Sequence, residues 1–82
     1  MGPTQTIEVL AEPNRRRLLD ELRAGEVPVS TLVDRVGLSQ PLVSKHLRVL
    51  REAGLVDVRP DGQRRLYRVR VEPLMDLSLI HI

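Results

Sequence analysis

The sequence predicts one small α+β domain, mainly helical, in which four short helices precede a two-stranded β-hairpin. The length of 82 residues leaves room for a single domain. Apolar residues recur at helical spacing up to about Leu55, whereas from Val56 onward they alternate with polar residues. Glycine and proline stand between the periodic segments, where they end helices or form turns.

The first two helices are predicted in the N-terminal third of the chain. Thr6 to Ala11 is a short, largely apolar segment. Pro13 suits the first turn of a second helix, because the N–H group that proline lacks would be unpaired there in any case. Leu18, Leu19 and Leu22 then share one stripe, and Gly25 is expected to end the helix in a left-handed conformation.

A third and a fourth helix are predicted after Pro28, which breaks the chain. Ser30 is expected to cap the third helix, which has barely two turns and ends at Gly37. A fourth helix follows almost at once, with Ser39 as its N-cap and Gly54 at its C-terminal end. Two helices joined by a tight glycine-containing turn form a helix-turn-helix.

The hairpin is predicted where the sequence reads VDVRPDGQRRLYRVRV. Gly62 accepts a positive φ in the turn, and the alternating segments on either side form the strands. One strand face carries Tyr67, Val69 and Val71, and the other carries Leu66, Arg68 and Arg70. Because an isolated hairpin is only marginally stable, its apolar face must pack against the helices.

Positive charge is concentrated in one part of the chain, although the net charge is only +2. Leu38–Arg70 carries eight basic and three acidic residues, a net +5, whereas the segments before and after it carry −1 and −2. This asymmetry suggests a polyanion as partner. The alternative is a solvated basic face, and the twelve arginines beside one lysine also suit a GC-rich genome.

The polar residues of the fourth helix fit recognition of double-stranded DNA. The second helix of a helix-turn-helix enters the major groove, and its N-terminal residues lie nearest to the base edges. Glutamine pairs with adenine, and serine donates to several bases or to phosphate. A recognition helix over about 39–53 is therefore predicted to contact DNA through Ser39, Gln40, Pro41, Ser44, Lys45, His46 and Arg48. Ser39 would cap the helix with or without DNA, and His46 fits either packing or contact with a phosphate. An exposed Leu42 is either a contact with a thymine methyl group or a coincidence. Four of the polar residues could also be ordinary solvated surface: Gln40, Ser44, Lys45 and Arg48.

The hairpin supplies a second predicted contact as a basic wing over about 56–71. Its turn is placed to straddle phosphates or to enter the minor groove. The wing residues expected to touch DNA are Arg59, Gln63, Arg64, Arg65 and Arg68.

Three segments together resemble the ArsR family of bacterial winged-helix repressors: VLAEPNRRRLLDEL, LSQPLVSKHLRVLREAGLV and RPDGQRRLYRV. The resemblance implies a winged helix-turn-helix fold. It also implies a homodimeric repressor that binds a palindromic operator and releases it when an inducer, here unknown, binds. Because dimers of this family form largely through the first and last helices, the resemblance points to Ile7, Val9, Leu10 and Leu74 as interface residues.

Two regions depart from the family pattern. Its thiolate metal sensors carry a Cys-x-Cys pair near the third helix, whereas this chain has no cysteine, which fits a reducing cytoplasm. Other members of the family place Asp, His and Glu ligands on a last helix that this chain does not complete, so the sequence leaves a metal there open. In the chain as given we expect no metal site and no cofactor. The domain is expected to cover residues 1–76. The segment LSLIHI, residues 77–82, matches the translation of a common sequencing adaptor, so we expect a non-native tail; the alternative is an ordinary apolar last helix.

Other classes of function are less compatible with the sequence. A winged helix can also act as a protein–protein interaction module, but such surfaces are enriched in aromatic residues, and Tyr67 is the single aromatic residue here. An enzyme is disfavoured because the chain lacks a phosphate-binding glycine loop, a thiol nucleophile and a usefully spaced His–carboxylate pair. No apolar run approaches the ~18 residues that span a membrane. The sequence thus predicts a cytoplasmic DNA-binding transcriptional regulator.

Overall fold

Two helices open the chain, a two-residue strand leads into two more helices, and a β-hairpin follows. The structure is a computed structural model that describes the backbone of residues 3–70 and the side chains of residues 7–70. The elements are α1 (Pro3–Ala11), α2 (Pro13–Leu22), β1 (Val27–Pro28), α3 (Val29–Val36), α4 (Gln40–Glu52), β2 (Val56–Asp61) and β3 (Arg64–Val69). The predicted α+β class is confirmed, with one additional strand. None of the described helices is long and apolar enough to cross a membrane.

The junction between α1 and α2 is formed by Glu12, which caps the second helix. Its Oε1 accepts a hydrogen bond from the backbone N–H of Asn14 at 3.2 Å, and Pro13 lies in the first turn as predicted. The expected end at Gly25 is wrong, because α2 already ends at Leu22. Gly25 lies in the following loop with a φ of +145°.

The start of α3 differs from the sequence prediction. Ser30 is not the N-cap: the helix begins at Val29, and the capping position is occupied by Pro28, which has no side-chain capping bond. The reason is a strand that the sequence did not reveal, since Val27 pairs with Tyr67 and Pro28 pairs with Leu66. Proline is tolerated there because β1 is an edge strand, where its missing N–H group is not needed.

The turn into α4 and both ends of that helix follow the prediction. Gly37 adopts the left-handed conformation (φ 71°, ψ 23°) after α3. The Ser39 Oγ accepts a hydrogen bond from the backbone N–H of Leu42 at 3.4 Å. At the other end, Gly54 has a φ of +80° and donates to the Arg51 carbonyl, while Leu55 donates to the Leu50 carbonyl, both at 2.9 Å. These paired bonds form a Schellman motif, which satisfies the last carbonyls of the helix.

The three strands form an antiparallel sheet in the order β1-β3-β2. Gly62 and Gln63 make a two-residue turn between the paired ends of β2 and β3, and Gly62 has a φ of +63°. Leu66 lies on the face predicted to be basic, yet only 8% of it is exposed. It is enclosed because Pro28 pairs with it on one side and Arg59 on the other.

The core is built mainly from leucine and valine. Its fully buried side chains are Leu18, Leu22, Leu32, Val43, Leu47, Leu50 and Val56. Tyr67 packs at the edge of this cluster, on the strand face that points toward the helices. The hairpin is therefore fixed against α4 through its apolar face, and this attachment sets the position of the wing relative to the helix-turn-helix.

Candidate nucleic-acid interface

An open groove of about 780 Å³ lies between the outward face of α4, the start of α3 and the wing. One face of α4, from Gln40 to Arg51, forms one wall, and the tip and inner face of the hairpin form the other. The lining residues are Pro28, Val29, Ser30, Gln40, Pro41, Ser44, Lys45, Arg48, Arg51, Gln63, Arg64, Arg65 and Tyr67. The two elements predicted to touch DNA therefore face the same space.

The groove is strongly positive. Its cationic side chains are Lys45, Arg48, Arg51, Arg64 and Arg65, and no aspartate or glutamate is among the lining residues. Arg64 forms an exposed ion pair with Asp61 at 2.9 Å. The other four make no ion pair with any residue in the described part of the chain. A cleft lined by one sign of charge concentrates counter-ions of the opposite sign, in this case anions.

The recognition-helix predictions divide into residues that line the groove and residues that do not. Five of the seven lie in it: Gln40, Pro41, Ser44, Lys45 and Arg48. Ser39 is exposed at the N-cap, just outside the lining, and its hydroxyl oxygen is occupied by the capping bond. Leu42 is 45% exposed in the first turn, beside Gln40 and Pro41.

His46, which the sequence predicts to contact DNA, does not face the groove. Only 9% of His46 is exposed, and it lies on the side of α4 that does not line the groove. Its Nδ1 accepts a hydrogen bond from Arg15 Nε at 3.2 Å, and its Nε2 lies 3.3 Å from Glu12 Oε2. Helical geometry explains the difference, because His46 follows Val43 by three residues and therefore shares the inward face.

The wing predictions divide in the same way. Gln63, Arg64 and Arg65 line the groove. Arg59 and Arg68 do not: both lie on the opposite face of the sheet from Tyr67, because side chains alternate along a strand. Arg68 lines a separate, shallower depression beside the end of α2. Both arginines are exposed on that face, and their contact with DNA stays a prediction.

Arg59 is engaged in a two-pronged ion pair with Glu26. Its Nε and Nη2 donate to the two carboxylate oxygens at 2.6 and 2.8 Å. The hydrogen bond from Arg59 is the main cause that lowers the pKa of Glu26, and the same bond raises the pKa of Arg59. Glu26 lies in the loop before β1 and Arg59 lies in β2, on the other side of the central strand β3. The pair therefore links the two edges of the sheet.

Two exposed residues of the groove were missed by the sequence analysis. Arg51 follows Ser44 by seven residues and Arg48 by three, so the helical repeat that identified those two also places Arg51 on the same face. Ser30 was assigned to capping, but it is exposed and lines the groove where α3 begins. Only long-range strand pairing determines that position, so no local signal could have identified it.

The residues predicted to form the dimer interface have different environments. Ile7 is 67% exposed on α1, and Leu10 is half-buried. Val9 is only 7% exposed and belongs to the core of its own chain, so it has little surface left for a partner. Leu74, Val71 and the predicted tail 77–82 lie outside the described residues. Within residues 3–70, no three His, Asp or Glu side chains gather closely enough to hold a metal ion.

Comparison with known proteins identifies the family of this fold. A family profile described as a helix-turn-helix domain matches residues 10–59. The transcriptional regulator NmtR of Mycobacterium tuberculosis is 39% identical over 79 residues, which is 93% of this chain. The chain belongs to the ArsR family of winged helix-turn-helix regulators. It spans just under two thirds, 66%, of the length of NmtR.

Solved structures of ArsR-type regulators share the fold. The crystal structure of a possible transcriptional regulator for arsenical resistance is 46% identical, with a TM-score of 0.76 over 90% of this chain and 77% of the other. A homodimeric winged helix-turn-helix DNA-binding domain from Mycobacterium bovis, described as a possible ArsR-family regulator, is 30% identical. Its TM-score is 0.79, over 95% of this chain and 73% of that one.

Proposed function

We propose that this ArsR-family chain binds double-stranded DNA in the groove between α4 and the wing, as the DNA-binding part of a homodimeric repressor. The observation that carries the proposal is the charge of that groove. Five cationic side chains line it, with no carboxylate among the lining residues. A surface built for protein contact would combine apolar and aromatic residues at its centre. Here Tyr67 is the aromatic member of the lining, and it is already packed into the core.

In the proposed complex α4 lies in the major groove. A helix with its side chains is about 10–12 Å across, and the major groove of B-DNA is about 12 Å wide. Gln40 and Leu42 occupy the first turn, which approaches the base edges most closely. Gln40 would pair with adenine, and Leu42 would contact the methyl group of a thymine. Lys45, Arg48 and Arg51 would bind the phosphates that border the major groove.

The wing would contact the neighbouring backbone or the minor groove. Gln63, Arg64 and Arg65 stand at its tip and on its inner face, where they extend the cationic surface beyond α4. Contacts of this kind fix the orientation of the protein and carry little sequence information themselves. We therefore assign base recognition to the first turn of α4 and sequence-independent affinity to the arginines.

A second copy of the chain would complete the site. One recognition helix spans few base pairs, whereas two helices related by twofold symmetry contact half-sites about 34–36 Å apart in a palindrome. The exposed Ile7 on α1 and the homodimeric state of the related Mycobacterium bovis domain support such a dimer. Repression, and release by an inducer, are proposed from the family relationship.

Selection of bound sequences from random duplex DNA tests this function. We expect a palindromic motif, and an affinity for it that falls about 10³–10⁵-fold between 50 and 200 mM salt. Replacement of Arg48 and Arg51 by alanine should abolish most binding, whereas the matched control Arg23→Ala, on the exposed end of α2, should not. If no duplex is enriched, or if the control loses as much affinity, the groove is not a DNA site and protein–protein contact becomes the better explanation.

A further inference from the structure

A polar cluster lies beneath the recognition helix, on the side that does not line the groove. It consists of Glu12 and Arg15 at the start of α2 and His46 in the middle of α4. Buried polar groups cost free energy unless they are hydrogen-bonded, and His46 is the buried polar residue of the described core. The proposed DNA contacts make no use of this cluster.

The bond from Arg15 fixes the tautomer of the neutral His46 ring. A guanidinium group donates hydrogen bonds and cannot accept them, so His46 Nδ1 must be the unprotonated nitrogen. The ring proton then sits on Nε2, which is turned toward Glu12 Oε2 at 3.3 Å. This approach is within ion-pair distance but is not aligned as a hydrogen bond: Oε2 is buried and has no hydrogen-bond partner among the described residues.

Arg15 connects three helices through this arrangement. Besides the bond from Nε to His46 on α4, its Nη1 donates to the backbone carbonyl of Val9 on α1 at 3.4 Å. Glu12, the second neighbour of His46, also caps α2 through its other oxygen. The planar guanidinium group presents its donors in a fixed geometry, which a lysine could not reproduce.

We propose that Arg15 acts through His46 to set the orientation of the recognition helix, so that His46 controls DNA affinity without touching DNA. The apolar contacts of Val43, Leu47 and Leu50 hold α4 against the core, but hydrophobic attraction is not directional. A helix held only by such contacts can rotate or slide slightly. The directional bond to His46 opposes both movements. This inference rests on the proposed function.

Three substitutions of His46 test the positioning role. His46→Leu keeps the volume but removes both polar contacts; we expect a folded protein whose affinity for the selected duplex falls roughly 10-fold, with an unchanged salt dependence. His46→Asn places an oxygen near the position of Nδ1, so the bond from Arg15 and most of the affinity should return. His46→Gln places its amide near Nε2, so it should not restore affinity. Arg15→Lys, which cannot bridge α1 and α4, should reproduce the loss even if His46→Leu fails to fold.

Two outcomes would overturn the inference. One is an affinity of His46→Leu equal to that of the unmodified chain, since His46 would then be only a packing residue. The other is a slope of log K against log salt concentration that is smaller by the contribution of about one phosphate per protomer. His46 would then contact DNA directly. The tautomer provides a test that does not depend on DNA. Long-range ¹H–¹⁵N spectra should show the His46 proton on Nε2, and a proton on Nδ1 would contradict the network even if the groove binds DNA as proposed.

Discussion

Replacement of Arg51 by alanine should weaken binding to all duplexes alike and reduce the salt dependence of that binding. Arg51 lines the groove near the C-terminal end of α4, far from the first turn, and makes no ion pair with a described residue. Arg59 provides the matched control. It has the same side chain and lies in the wing, but it faces away from the groove and is held by Glu26.

The magnitude follows from counter-ion release. Each phosphate neutralised on B-DNA contributes about −0.9 to the slope of log K against log salt concentration. Five groove cations per protomer set an upper limit of about −9 for a dimer. Loss of Arg51 from both protomers should therefore reduce the slope by about 1.8, which corresponds to roughly a tenfold smaller change in affinity between 50 and 200 mM salt.

Fluorescence anisotropy with a labelled duplex, measured at five or six salt concentrations, gives this slope directly. We expect Arg51→Ala to flatten it and Arg59→Ala to leave it unchanged. Circular dichroism would verify that both variants are folded. A flattened slope for Arg59→Ala together with an unchanged slope for Arg51→Ala would refute the assignment of the groove, because the outer sheet face would then be the surface that meets phosphate.

Three further predictions concern single positions. Gln40→Ala should relax base preference at one position of each half-site, measured by repeating the selection; an unchanged motif would show that Gln40 does not contact a base. Substituting uracil for thymine removes only the methyl group, so it should weaken binding of the unmodified chain but not of Leu42→Ala; equal losses for both would exclude the methyl contact. Glu26→Gln should destabilise the fold at neutral pH. Because the Arg59 bond lowers the pKa of Glu26, its stabilisation is complete above the ordinary value of 4.5 and is lost as the pH falls through the lowered pKa. Thermal unfolding from pH 7 to pH 3 should thus show the difference between the two proteins shrinking, and a constant difference would contradict this origin.

Local sequence signals were sufficient for the recognition helix. The apolar repeat of Val43, Leu47 and Leu50 defines its buried face, and the caps at Ser39 and Gly54 define its ends. Each of these signals depends on residues within one or two helical turns of one another. They can therefore be recognised in the sequence before the fold is known. The same repeat places five of the seven predicted contacts in the groove.

The sequence analysis was incomplete where residues that are distant in the chain meet. Arg59 was expected to be available to DNA, but its partner Glu26 is 33 positions away in the chain. His46 was expected to face DNA, but it is bonded to Arg15, which is 31 positions away. Ser30 lost its capping role because β1 pairs with β3 and determines where α3 begins. The sequence alone does not show which arginines face the groove and which form ion pairs within the fold.

Protection of arginine side chains by bound DNA tests most directly whether DNA binds in the groove between α4 and the wing. The chain would be treated with an arginine-specific dicarbonyl reagent, with and without the selected duplex, and the modified residues identified by mass spectrometry. We expect DNA to protect Arg48, Arg51 and Arg65 in the groove, while Arg23 and Arg68 remain equally reactive. Protection of Arg68 and Arg23, with continued reactivity of the three groove arginines, would show that DNA binds a different face of the molecule.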